Sequence, residues 1–238
     1  KLEPFGEVTT DKNRLGEAHV VLVRSKTKCT KEYIDQAVNL KLIIRGGVGI
    51  DNIDKAYADS KGIIVRNTPK SSAIAVAELA FALMLSTPNN LVAYHNGMKR
   101  GEWLKNLKRT ELYGKTLCLF GIGNIASKVA ERAKAFGMTV VAFDKYVSSS
   151  PLARMVPTAE EAVADADYIS LHLPLTDETR GMVNEKLIAH CKKQPVVINT
   201  GRRRMAAASS TARRASQSCR SRSWLANSTI RMPCLLIR

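Results

Sequence analysis

No stretch of this sequence is apolar for long enough to cross a membrane, and no secretory signal is read at its start. A spanning or exported protein therefore has nothing to rest on. The cysteines lack a pattern too. Cys29, Cys118, Cys191, Cys219 and Cys234 form no Cys-x-x-Cys pair and no cluster with histidine. They offer no disulfide framework and no metal site, and a reduced, cytoplasmic setting is the simplest account. Acids and lysines are missing from residues 202–238, where nine arginines stand. The formal charge of +16 is largely theirs: without them 28 basic residues face 21 acidic ones, leaving +7 over the first 201 positions. So the basicity belongs to one segment and does not mark the whole chain as a nucleic-acid binder. That segment holds one aromatic for base stacking, Trp224, and no regular helix to enter a groove.

What is present centres on residues 116–144. Leu117-Cys118-Leu119-Phe120 has the length and composition of a buried strand. Gly121-Ile122-Gly123-Asn124-Ile125-Ala126 follows at once. Val129, Ala130, Ala133 and Phe136 then recur on one helix face, and Gly137 closes the helix. A second apolar run, Thr139-Val140-Val141-Ala142-Phe143, ends at Asp144. Each part has a use in holding a dinucleotide. Gly121 permits a tight turn, Gly123 lets a pyrophosphate approach the backbone, and Ala126 lets the helix pack on the sheet. Amides at the helix N-terminus meet the phosphates, helped by the helix dipole. Asp144 can accept hydrogen bonds from a ribose diol and would repel a 2′-phosphate, which favours NAD over NADP; Lys145 beside it softens that preference. An ordinary glycine turn in an α/β sheet is the bland alternative.

Around this unit, strands alternate with helices, which implies a parallel sheet. Strands are predicted at 18–23, 42–44, 63–65, 168–171 and 196–198. Helices are predicted at 30–40 (Thr30 as N-cap; Tyr33, Ile34 and Val38 on one face), 72–85, 90–99, 158–164 with a capping box from Thr158 to Glu161, and 184–191. The 72–99 pair is apolar enough to be central core or a subunit interface. Gly46-Gly47-Val48-Gly49 leaves backbone amides uncovered, a good shape for holding a carboxylate; a plain strand-to-helix turn would look the same. After Arg202 no clean strand or helix period is read.

In that order and spacing, several segments resemble the D-isomer-specific 2-hydroxyacid dehydrogenases, the phosphoglycerate dehydrogenase branch most closely. They are Gly47-Val48-Gly49-Ile50-Asp51-Asn52-Ile53-Asp54, Asn67-Thr68-Pro69 with Val76-Ala77-Glu78, Glu111-Leu112-Tyr113-Gly114-Lys115-Thr116-Leu117, the Gly121 turn, His172-Leu173-Pro174 and Asn199-Thr200-Gly201-Arg202. The resemblance implies an α/β protein: a Rossmann-type doubly wound parallel sheet for NAD, with a partial flavodoxin-like substrate domain. The expected divisions are residues 1–70 (substrate), 71–201 (NAD) and 202–238 (an irregular basic tail). It also implies roles. Gly47, Val48 and Gly49 would hold the substrate carboxylate. Thr68 would approach the nicotinamide end. Gly121, Gly123, Asn124 and Ile125 would meet the pyrophosphate, and Asp144 the adenosine ribose. Leu173 and Thr200 would line the cofactor pocket, and Arg202 would be the catalytic arginine, its fork gripping two substrate oxygens.

The sequence departs from the family where the chemistry is concentrated. The family places a general acid/base histidine and an orienting glutamate well after its arginine. Here no histidine follows His190 and no glutamate follows Glu185. The family's first strand and helix are also not found before Lys1, so the chain reads as truncated in front. The segment after about Arg202 reads as the family's own gene one base out of frame. Val-Val-Asp-Gly-Ala-Ala, written in GC-rich codons and shifted by one base, becomes Ser-Ser-Thr-Ala-Arg-Arg, as at 209–214. A genuine low-complexity tail is the alternative. The expected function is NAD-dependent interconversion of a 2-hydroxy acid and a 2-oxo acid by a cytoplasmic homodimer, with slow or no turnover by the chain as written. The rival reading is a non-catalytic NAD-binding corepressor whose basic tail contacts nucleic acid.

Overall fold

In the computed structural model, residues 3–174, 176–201 and 235–237 are described. The chain divides into two compact units, the first holding residues up to Ser72 together with the strand Leu235–Ile237, the second beginning at Ala73.

The first unit is built on three parallel strands, β2 (Val20–Val23), β3 (Leu42–Arg45) and β4 (Ile64–Asn67), after the short β1 (Val8–Thr9). Val21, Val23 and Ile43 are fully buried, against Ile34 of α1 (Lys31–Gln36) and Ala58 of α2 (Lys55–Ser60). Both helices start on side-chain caps: Thr30 Oγ1 accepts from the Tyr33 amide, and Asp54 Oδ1 from the Tyr57 amide. Two expectations fail here. The helix read over 30–40 stops at Gln36, because Ala37 leaves helical geometry (φ −93°, ψ 63°); Val38 is then 79% exposed, and Leu40 turns inward instead. No strand is expected after Arg202, yet Leu235–Ile237 pairs antiparallel with β1 and β2. Three apolar residues behind Pro233 suffice, since two strand edges offer unpaired backbone groups.

The second unit opens with α3 (Ala73–Ser86) and α4 (Leu91–Lys99), bent by 68° at the break between them. Pro88 cannot continue the helix. Thr87 Oγ1 and Asn89 Nδ2 donate to the carbonyls of Leu83 and Leu85, satisfying the end of α3. No single helix among the described residues is long and apolar enough to cross a membrane. Residues 102–111 form no helix or strand. The sheet follows: β5 (Thr116–Phe120), α5 (Asn124–Ala135), β6 (Thr139–Phe143), β7 (Arg154–Met155), α6 (Ala159–Val163), β8 (Tyr168–Leu171), α7 (Glu185–Ile188) and β9 (Val196–Asn199). The helix expected to reach 191 thus ends at Ile188. All strand pairs are parallel, in the order β7-β6-β5-β8-β9. Leu117, Cys118, Leu119 and Phe120 are fully buried because helices cover both faces of the sheet. Val129, Ala130 and Ala133 are buried on α5 as the period predicts, with Ala126 beside them; Phe136, expected on the same face, is the C-cap instead, 43% exposed and stacked on Phe81.

The strand order of this sheet reverses between β5 and β8, while every strand stays parallel. Counted along the chain within the unit its order is 3-2-1-4-5, that of a dinucleotide-binding sheet, and ligands bind where such an order reverses, outside the carboxyl ends of the strands.

Candidate functional site

At the reversal, the turn after β5 and the segment after β8 meet. Gly121 has φ +89°, a region that L side chains rarely adopt. A Cβ there would lie 3.0 Å from Leu173 Cδ2 and 3.1 Å from the His172 carbonyl oxygen. So Gly121 is required twice, by its backbone and by its neighbour. The turn is anchored by the Gly121 amide donating to the Phe143 carbonyl at 2.8 Å.

Gly123 differs. Its φ of −72° suits any residue, and a Cβ would meet nothing within 4 Å. It is also the N-cap of α5, where Ser, Asp or Asn would serve the helix better. Neither backbone strain nor packing requires a glycine here, and the absent side chain leaves open space at the mouth of the helix. The first bond of α5 runs from the Ser127 amide to the Gly123 carbonyl. The amides of Asn124, Ile125 and Ala126 lie ahead of it, at the positive end of a 12-residue helix. Those donors and that open volume fit a pyrophosphate. Ala126 is fully buried, so its methyl group is accommodated between helix and sheet.

Asp144 stands at the tip of β6. Its Oδ2 accepts from the Ile122 amide at 2.9 Å, and its Oδ1 from the Tyr146 amide at 2.9 Å. The carboxylate therefore braces the glycine turn, and each oxygen keeps acceptor capacity for a ribose hydroxyl. The bracing role was not read from the sequence: the 22-residue separation gives no hint of it.

Beside the turn, His172 is partly buried, and its Nε2 lies 2.9 Å from Oγ of the fully buried Ser170. Burial pushes its imidazole down to about 4, so the ring is neutral at pH 7. Leu173 packs on Gly121, as described. Thr200 follows β9 at the same end of the sheet, where the Asn199 side chain accepts from the Gly201 amide. Arg202 lies outside the described residues.

In the first unit the predicted carboxylate cradle is latched to the end of β4. The Gly47 amide donates to Thr68 Oγ1 at 2.8 Å, and the Thr68 amide donates to the Gly47 carbonyl at 3.1 Å. The Asn67 side-chain amide donates to the Val48 carbonyl at 2.5 Å, and Ser71 Oγ lies 2.9 Å from Thr68 Oγ1. The expectation that all three of these amides serve a carboxylate is thereby narrowed: the Gly47 amide is spent on Thr68, leaving those of Val48 and Gly49. Val48 is 43% exposed, and Gly49 sits against Asp51 Oδ1. Thr68, given to the nicotinamide end, holds this turn as well. No group of three or more His, Cys, Asp or Glu among the described residues could hold a metal.

With this geometry in hand, the likenesses to known proteins are specific. The profile of the NAD binding domain of D-isomer specific 2-hydroxyacid dehydrogenases matches residues 81–224. D-3-phosphoglycerate dehydrogenase of Methanocaldococcus jannaschii is 44% identical over 194 residues, 79% of this chain and 37% of that protein. Hydroxypyruvate reductase of Thermotoga maritima is 44% identical over 187 residues, 78% of this chain and 61% of that one. Among solved structures, D-lactate dehydrogenase of Aquifex aeolicus, complexed with NAD and lactic acid, superimposes with a TM-score of 0.74 at 34% identity, covering 87% of this chain and 63% of that one. The chain spans roughly a third to three fifths of the length of the curated relatives it matches.

Proposed function

Because the chain belongs to the D-isomer-specific 2-hydroxyacid dehydrogenase family, with NAD as its cofactor, we propose that it serves the interconversion of a 2-hydroxy acid and a 2-oxo acid, of the phosphoglycerate dehydrogenase type. The observation that carries the reading is Gly123: a glycine that neither backbone nor packing requires, at the mouth of α5 and the reversal of the sheet. NAD supplies the hydride acceptor or donor. The amides of Asn124 and Ile125 would hold its pyrophosphate, Asp144 its adenosine ribose, and Leu173 and Thr200 would line its pocket. The amides of Val48 and Gly49 would hold the substrate carboxylate, with Thr68 fixing their turn. Arg202 would bind the substrate's carboxylate and keto oxygen.

The proton at the substrate oxygen needs an acid/base. Neutral His172 is engaged with Ser170 beside the turn and does not replace one. Residues 1–238 hold no histidine after His190 and no glutamate after Glu185, so by themselves they should bind cofactor and turn over slowly or not at all. Ile74 of α3 and Leu91 and Met98 of α4 are exposed, which supports self-association through these helices as a homodimer. Among the described residues, the thiols of Cys118 and Cys191 are in no disulfide, which accords with a reducing, cytoplasmic compartment. Calorimetric titration with NAD, followed by an assay of NADH consumption with 2-oxo acids including 3-phosphohydroxypyruvate, tests the reading: NAD binding with little turnover is expected, and no NAD binding contradicts it.

A further inference from the structure

Lys145 follows Asp144 directly. Alone, its ammonium beside the ribose-binding carboxylate would welcome the 2′-phosphate that Asp144 repels. It is not left alone. Lys145 Nζ lies 2.8 and 2.9 Å from the two carboxylate oxygens of Glu178. Glu178 belongs to the loop after β8, whereas Lys145 follows β6, and β5 with its glycine turn lies between those strands. The ion pair thus joins the two sides of the cofactor-binding end of the sheet.

Glu178 is held ready by its own loop. Thr179 Oγ1 donates to the Pro174 carbonyl at 2.6 Å, the Thr176 amide donates to Thr179 Oγ1 at 2.8 Å, and the Arg180 amide closes the turn on the Thr176 carbonyl at 2.9 Å. The loop positions the carboxylate before any cofactor arrives.

We propose that Glu178 is a specificity-determining residue for the dinucleotide: by engaging Lys145 it cancels the positive charge beside Asp144 and so preserves the preference for NAD over NADP. This rests on the cofactor site proposed above. The charges at the tip are then negative on Asp144, positive on Lys145 and negative on Glu178, so a 2′-phosphate meets net negative charge. Removing the Glu178 charge frees an ammonium that reaches the same region, while Asp144 stays.

The test is calorimetric binding of NAD and NADP to the full chain and its variants. Glu178→Gln should tighten NADP relative to NAD by about two- to fivefold at low salt, the scale of an exposed charge pair. The gain should fade toward 0.5 M salt, as screened charges do. Lys145→Met in the Glu178→Gln background should abolish the gain, which a merely structural role of Glu178 would not predict. An unchanged NAD-to-NADP ratio in Glu178→Gln, or a gain that persists without Lys145, overturns the proposal while leaving the NAD site intact. Failure of the unmutated chain to bind NAD overturns the site itself and this inference with it.

Discussion

Asp144 reaches back over the turn that precedes it, and its Oδ2 accepts the Ile122 amide at 2.9 Å. One carboxylate thus shapes the glycine turn, and in the proposed site it would also hold the ribose. Asp144→Ala should weaken NAD, narrow the gap between NAD and NADP, and also loosen the turn. A hydrogen bond to a charged group typically contributes about 1.5–3 kcal/mol, less where solvent reaches it, so unfolding of the apo chain should shift measurably downward. Asp144→Asn, which keeps an acceptor, should recover part of that stability. Equal affinities of the unmutated chain for the two cofactors would contradict the ribose assignment.

Gly121→Ala should be costly without any ligand. The new methyl group would need φ near +89° and would stand 3.0–3.1 Å from Leu173 and the His172 carbonyl. Strain of this kind costs on the order of 1–3 kcal/mol. Chemical denaturation checks it, and an unchanged midpoint would show that the turn relaxes freely.

The latch in the first unit makes a local prediction. Thr68→Val removes the acceptor of the Gly47 amide, so that amide should lose hydrogen-exchange protection, with a stability cost of about 1 kcal/mol. Thr68→Ser should keep both. Retained protection in the valine variant would mean that another group holds the amide.

Stability should also depend on pH through His172. Its value in the folded chain is about 4, against an ordinary 6.5, so the unfolded chain binds the proton more readily. The contribution is complete above pH 6.5, declines as pH falls toward 4, and is lost below it. Asp167 acts in a lower window. Burial raises its carboxyl, but the Thr116 amide and Lys193 outweigh that and hold it below its ordinary value. Its contribution is present above about pH 3.8 and lost as pH falls through the lowered value. His172→Gln should flatten the stability profile between pH 6.5 and 4; an unaltered slope there would assign it to other groups.

The legible parts of the fold were those written as local pattern. The change from a continuous apolar run to a helical stripe marked β5, α5 and β6, and the glycines marked the turn between the first two. Thr30 and Thr158 act through amides three residues on, so their caps are legible in the sequence; Asp54 caps α2 in the same way, but no helix is predicted after it because the glycine-rich stretch before it carries no helical period. The stop of α1 at Gln36 was hidden because Val38 fits the helical stripe, and only tertiary packing draws Leu40 inward in its place. The Gly47–Thr68 latch and the Asp144–Ile122 brace join residues about 20 apart, just past the ends of neighbouring parallel strands in each case, and no local pattern encodes that register. Leu235–Ile237 was missed because three apolar residues carry no period.

Arg202 and the segment after it are addressed by the encoding DNA. If that segment is the family's gene read one base out of frame, the neighbouring frame should encode a glutamate and, further on, a histidine in family context. A stop codon or unrelated sequence there would refute it.

The central claim, that the Gly121–Ile125 turn holds a dinucleotide, is tested most directly by titrating NAD into Gly123→Asp. Aspartate is among the best N-cap residues, its charge suits the helix dipole, and Gly123 has ordinary φ and open space around it. The variant should therefore unfold no earlier than the unmutated chain. A carboxylate in that space would meet the pyrophosphate, so NAD affinity should fall by more than about tenfold, a loss of about 1.4 kcal/mol or more. A stable Gly123→Asp chain that binds NAD as tightly as the unmutated one would contradict the account.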